Sequence, residues 1–120
     1  MKVILTVDDS MSLRRMVKTV LESAGYSVIE AADGADALTK LDGREFDLII
    51  SDINMPNMNG IDLARQIRRL VDYQFVPIVL LTSESGADKK QKAKEAGATG
   101  WMVKPFTPDQ LVAVVNKIVR

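Results

Sequence analysis

At 120 residues the chain is long enough for one domain with its own core and too short for two. Lysine plus arginine number 16 and aspartate plus glutamate 16, so a net charge of zero removes the electrostatic case for nucleic acid or an anionic membrane as partner. With no cysteine and no histidine, disulfides, thiolate or imidazole metal ligation and Ser-His or Cys-His catalysis are excluded, leaving carboxylates, hydroxyls and lysines as the chemical groups.

The first apolar run, Val3 to Val7, stops at Asp8 and Asp9. It is too short for a signal peptide or a membrane span, and a cytoplasmic location is the expectation. Leu13, Met16, Val17, Val20, Leu21 and Ala24 then recur at helical spacing, with Ser10 or Asp9 as the cap and Gly25 as the stop. A second strand is predicted over Ser27 to Ala31, ending near Ala32 and Asp33, where the chemistry is less evident. Ala35, Leu38 and Leu41 mark a short helix ending near Gly43.

Leu48 to Ile50 form the third run, which ends in Asp52. Asp is common in turns for its short bonds to its own backbone, so this residue alone decides nothing. Ile61, Ala64, Ile67 and Val71 mark the third helix. The fourth run, Ile78 to Leu81, ends in Thr82 and Ser83. Ala87 to Ala96 read as a weaker helix stopped by Gly97, with Lys89, Lys90, Lys92 and Lys94 as its wet face. Trp101 to Val103 form the fifth run, ending in Lys104 and Pro105. In Thr107-Pro108-Asp109-Gln110, a capping box opens the last helix, whose Leu111, Val114, Val115 and Ile118 face the core.

Continuous apolar runs of this length suit strands buried on both faces, as a parallel sheet requires. Five strand–helix units with right-handed crossovers give an α/β fold with helices on both faces, and residues 1–120 read as a single domain. In such a sheet the carboxyl ends of the strands share one rim, where ligands bind. That rim collects Asp8, Asp9, Asp52, Thr82 and Lys104. Carboxylates about 5 Å apart repel by roughly 3 kcal/mol per pair at an effective dielectric near 20. A hard divalent cation such as Mg²⁺ offsets this, and Lys104 offsets part of it. Metal, lysine, hydroxyl and carboxylate are the parts that stabilise a transferring phosphoryl group, and a carboxylate can itself accept one.

The stretches VDDS (7–10), SDINMPNMNG (51–60), LTS (81–83) and KPF (104–106), with AGY (24–26) and DG (33–34), occur in one order along the chain. In them the sequence resembles the response-regulator receiver family over nearly its whole length. The resemblance implies a flavodoxin-like doubly wound (βα)5 sheet of strand order 2-1-3-4-5. It implies Asp52 as phosphoacceptor, and Asp8 and Asp9 as the acidic pair that organises Mg²⁺, Asp9 the more direct ligand. The Asn54 backbone carbonyl would be a further ligand. Thr82 would be the switch hydroxyl, Lys104 the lysine that pairs with the phosphoryl group, and Pro105 a structural proline in cis. Asn54 and Glu84 hold positions that tune how fast the phosphoryl group is lost.

The family's switch ring is usually Tyr or Phe. This chain has Trp101, which is larger and carries an N–H that needs a partner when buried. Ser83 stands where Ala or Gly is frequent. The implied function is a stand-alone, monomeric response regulator of a two-component system, chemotaxis first among them. Its phosphodonor would be a sensor histidine kinase. Its output would be a protein contact through residues 89–96, 99–103 and 110–119, with a flagellar motor switch protein as the expected partner. Rival readings are a phosphate sink, a non-phosphorylated interaction module and an aspartyl-nucleophile phosphatase. The last usually has a second Asp two residues on, where this chain has Asn54.

Overall fold

A computed structural model describes residues 1–83 and 87–119. Glu84 therefore lies outside the described residues. The elements run β1 (Val3–Val7), α1 (Met11–Ser23), β2 (Ser27–Ala31), α2 (Gly34–Lys40), β3 (Leu48–Asp52) and α3 (Gly60–Arg68). A 3₁₀ turn at Val71–Tyr73 follows, then β4 (Ile78–Thr82), α4 (Ala87–Glu95), β5 (Gly100–Val103) and α5 (Pro108–Val119). The five strands form one parallel sheet of order β2-β1-β3-β4-β5, as the resemblance implies.

The continuous apolar runs have a simple cause. Alternate residues of each strand feed two separate cores. Leu5, Ile49, Ile78 and Leu80 pack with Ala37, Leu63, Ala64, Ile67 and Ala93 of α2, α3 and α4. Ile4, Leu48, Ile50, Val79 and Leu81 pack with Val17, Leu21, Leu111 and Val115 of α1 and α5. A strand buried on both faces has no polar positions to alternate with.

Local chemistry sets the helix ends. Ser10 caps α1, its hydroxyl accepting from the Leu13 N–H. Gly25, at φ +97, supplies the left-handed residue just past the end of α1. At α5 the Thr107 hydroxyl accepts from the Gln110 N–H at 3.1 Å, and the Gln110 side chain accepts from the Thr107 N–H at 2.9 Å. This is the reciprocal capping box read from the sequence.

Three apolar assignments differ from expectation: Val71, Ala24, and Ala35, which is exposed on α2 while Ala37 faces the core. Val71 does not continue the α3 stripe. The helix ends at Arg68, Leu70 turns extended, and Val71 is 84% exposed in the 3₁₀ turn. Arg68 fixes this exit by donating to the carbonyls of Tyr73 at 3.0 Å and Gly97 at 2.7 Å. Ala24 is exposed as the cap of α1, one residue past its stripe.

Candidate functional site

Strand order reverses between β1 and β3, where the crossovers leave on opposite faces and open a cleft at the carboxyl rim. Val7 pairs with Ser51 and Asp52 with Leu81, so Asp8 and Asp52 leave neighbouring strands side by side. One carboxylate oxygen from each of Asp8, Asp9 and Asp52 falls within 4.8 Å of the others. Asp8 and Asp52 are buried and Asp9 is exposed, so the cluster opens to solvent on the Asp9 side.

Lys104 follows β5, and its N–H donates to the Thr82 carbonyl at 2.7 Å, continuing the ladder. That places its Nζ 2.8 Å from Asp52 Oδ1. The contact is coulombic and off the angle of a hydrogen bond, and Asp52 Oδ1 has no hydrogen-bond partner among the described residues. Lys104 thus balances the charge of this buried oxygen while leaving it able to accept from a further ligand. Three converging carboxylates, two of them buried, fit a hard divalent cation with open coordination positions for water and phosphate oxygen.

The Asp8 carboxyl is raised above its ordinary value, first by burial. The Ser10 N–H, 2.9 Å away, pulls it back, as does Lys104, while the Asp52 and Asp9 charges push it up. The site thus contains unresolved repulsion that a bound cation would relieve.

The loop after Asp52 brings backbone close to the carboxylates. Gly60 packs directly beneath it. A Cβ there would lie 2.4 Å from the Asp52 carbonyl oxygen and 2.9 Å from Ile53 Cα. The Gly60 N–H donates to the Ile53 carbonyl at 2.9 Å, and the Ser51 hydroxyl donates to the Asp52 carbonyl at 3.0 Å. Asn57 takes a left-handed conformation at φ +71. Asn54 is exposed on this loop.

Thr82 is fully buried at the end of β4. Trp101 is half-buried on β5 and packs against the core on the α4 side. With Lys90, Ala93, Lys94, Ala98 and Thr99 it lines a groove of about 300 Å³. The Lys104–Pro105 peptide bond is cis. Leu13, Met16, Ser83, Pro105 and Phe106 make an apolar hollow beside Lys104. Asp33 stays out of the site. It caps α2, accepting from the Asp36 N–H at 2.7 Å, while Asp36 accepts from the Ala32 N–H at 2.9 Å.

The sequence reading missed Arg14. It is buried in line with Val17 and Leu21 on the inner face of α1. Its Nη1 donates to the Asp8 carbonyl at 2.7 Å and its Nε to Glu30 at 3.0 Å. The available signal was a cation at the i, i+3, i+7 positions of an apolar stripe, together with an acid inside the β2 run.

The response regulator receiver domain family matches residues 4–116. The chemotaxis protein CheY of Pseudomonas aeruginosa is 40% identical over 116 residues, which are 96% of this chain and 94% of that one. The chemotaxis protein CheY1 of Helicobacter pylori is 41% identical over 110 residues, 90% of this chain and 89% of the other. The solved structure of the chemotaxis protein CheY4 of Vibrio cholerae superposes with a TM-score of 0.95 at 47% identity, covering 98% of both chains. This chain belongs to the response regulator receiver domain family.

Proposed function

We propose that this receiver accepts a phosphoryl group on Asp52 from the phosphohistidine of a partner sensor kinase, in a reaction that needs Mg²⁺. The observation that carries the reading is the buried Asp52 carboxylate, 2.8 Å from Lys104 Nζ and clustered with Asp8 and Asp9. An Asp52 oxygen forms the new bond to phosphorus. The bond from phosphorus to the donor imidazole nitrogen breaks, and its electron pair stays on that nitrogen. The phosphohistidine cannot come from these 120 residues, which contain no histidine.

Asp8 and Asp9, with Asp52 and the Asn54 backbone carbonyl, would hold the metal. When bound, Mg²⁺ neutralises charge on the transferring oxygens. Lys104 would move from Asp52 to a phosphoryl oxygen, and the Thr82 hydroxyl would donate to another. Because the core is close-packed, pulling Thr82 toward the rim shifts its neighbours between discrete arrangements. Trp101 and the α4–β5–α5 surface would carry the change outward. The relatives' names support chemotaxis as the pathway, with a flagellar motor switch protein as the proposed target. An aspartyl phosphatase is disfavoured, since the residue two beyond the nucleophile is the exposed amide Asn54 rather than an acid.

The test is transfer of label from a radiolabelled phosphohistidine domain of a chemotaxis kinase. The proposal expects label on this chain with Mg²⁺ and none with EDTA. Label that stays on the donor with Mg²⁺ present overturns it.

A further inference from the structure

Arg14 is a cation buried on the inner face of a helix, and no step of the proposed phosphoryl transfer uses it. A buried guanidinium persists only where its donors are matched. Here they are divided between two elements. Nε meets Glu30 of β2 at 3.0 Å, and Nη1 meets the Asp8 carbonyl at 2.7 Å. Glu30 is pushed up by its burial. The Arg14 hydrogen bond, with the charges of Arg15 and Lys18, outweighs this and holds it below its ordinary value. Glu30 is therefore an anion at neutral pH and a fixed anchor for the guanidinium.

The Asp8 carbonyl belongs to the peptide that joins Asp8 to Asp9. Asp8 is tied on its other side by its N–H to the Ala31 carbonyl at 3.1 Å. Asp9 is exposed and has no strand beside it. The orientation of that peptide sets where the Asp9 side chain leaves the main chain. Arg14 bonds the backbone carbonyl of Asp8 and the side chain of Glu30, so its contact with the cluster runs through the main chain.

We infer that Arg14, braced by Glu30, is a positioning residue for the cation site: its fork locks the Asp8–Asp9 peptide so that Asp9 joins Asp8 and Asp52. The inference rests on the Mg²⁺-dependent reading above. Outer-sphere groups of this kind change metal affinity about 10–100-fold when removed.

The test is Mg²⁺ binding by titration calorimetry, with thermal melting in EDTA as the report on folding. The variants are Arg14→Met, Arg14→Lys and Arg15→Met. Arg15 reaches the same Glu30 at 3.3 Å but makes no bond to the Asp8 carbonyl, and its side chain is 63% exposed. The expected result is about tenfold weaker Mg²⁺ binding for Arg14→Met. Arg14→Lys, which keeps the charge and loses the fork, shows a comparable loss, and Arg15→Met binds as wild type. Mg²⁺ affinity in Arg14→Lys within twofold of wild type overturns the inference, whatever the melting temperatures. So does an equal loss in Arg15→Met, which would mark a charge effect. Wild type that binds no Mg²⁺ overturns the cation reading beneath it, an outcome distinct from the other two.

Discussion

The Cβ that Gly60 lacks would stand 2.4 Å from the carbonyl oxygen of Asp52. The start of α3 and the end of β3 are therefore in backbone contact, and neither can yield as a flexible side chain could. Gly60→Ala is expected to cost about 2–3 kcal/mol in urea unfolding. It should also slow phosphoryl acceptance by displacing Asp52. Gly25→Ala is the comparison. That position is left-handed at φ +97 with open space around it, so it should cost about 1 kcal/mol and leave acceptance unchanged. A Gly60→Ala protein with the wild-type urea midpoint contradicts the contact.

Asp8 gives a pH dependence whose sign is fixed. Burial, with the Asp52 and Asp9 charges, raises its folded pKa above the ordinary 3.8. The unfolded chain then loses this proton first. Between the two values the unfolded state binds fewer protons, so stability falls as pH rises, and the penalty is full above the folded pKa. In EDTA at neutral pH, Asp8→Asn should melt above wild type, and the difference should vanish below the unfolded pKa. Excess Mg²⁺ should reverse the order, because wild type gains binding energy that the variant lacks. A variant that melts lower than wild type in EDTA at neutral pH contradicts this account.

Lys104 is the cation that balances Asp52 while no metal is bound. Lys104→Met leaves a buried carboxylate uncompensated, and a loss of about 3 kcal/mol is expected in EDTA. Mg²⁺ should recover much of it, with tighter binding than in wild type, since a competing cation has been removed. Equal Mg²⁺ affinity in the two proteins would mean that Lys104 and the metal do not compete.

Thr107→Ala removes half of the α5 capping box. The expected cost is about 1 kcal/mol of stability, read from the urea midpoint, with Mg²⁺ affinity unchanged. The cap lies on the far side of Lys104–Pro105, so a drop in Mg²⁺ affinity would reveal coupling that the contacts do not suggest.

Much of the fold was legible because strands buried on both faces leave unbroken apolar runs, and because those runs end at one rim. Ile49 and Ile50 serve opposite cores, which is why they stand side by side with no polar residue between them. Asp8, Asp52 and Lys104 stood out as charged residues closing such runs. Val71 was misread because its spacing from Ile67 is helical. Of the Arg68 bonds that end α3, the one to Tyr73 is local, but the one to Gly97 spans 29 residues of sequence. Arg14 is not legible in the periodicity of apolar residues, although it sits in line with Val17 and Leu21. Its partner Glu30 lies on another element, so the pair became visible only once α1 was laid against β2.

The central claim is that Asp52 receives a phosphoryl group through a cation held by its acidic neighbours. The most direct measurement is the intact mass of wild type and Asp52→Asn after incubation with a small acyl phosphate, in Mg²⁺ and in EDTA. The account predicts one added phosphoryl group on wild type in Mg²⁺ only, released by hydroxylamine, and none on Asp52→Asn. Wild type left unmodified in Mg²⁺, or Asp52→Asn labelled to the same extent, would contradict it.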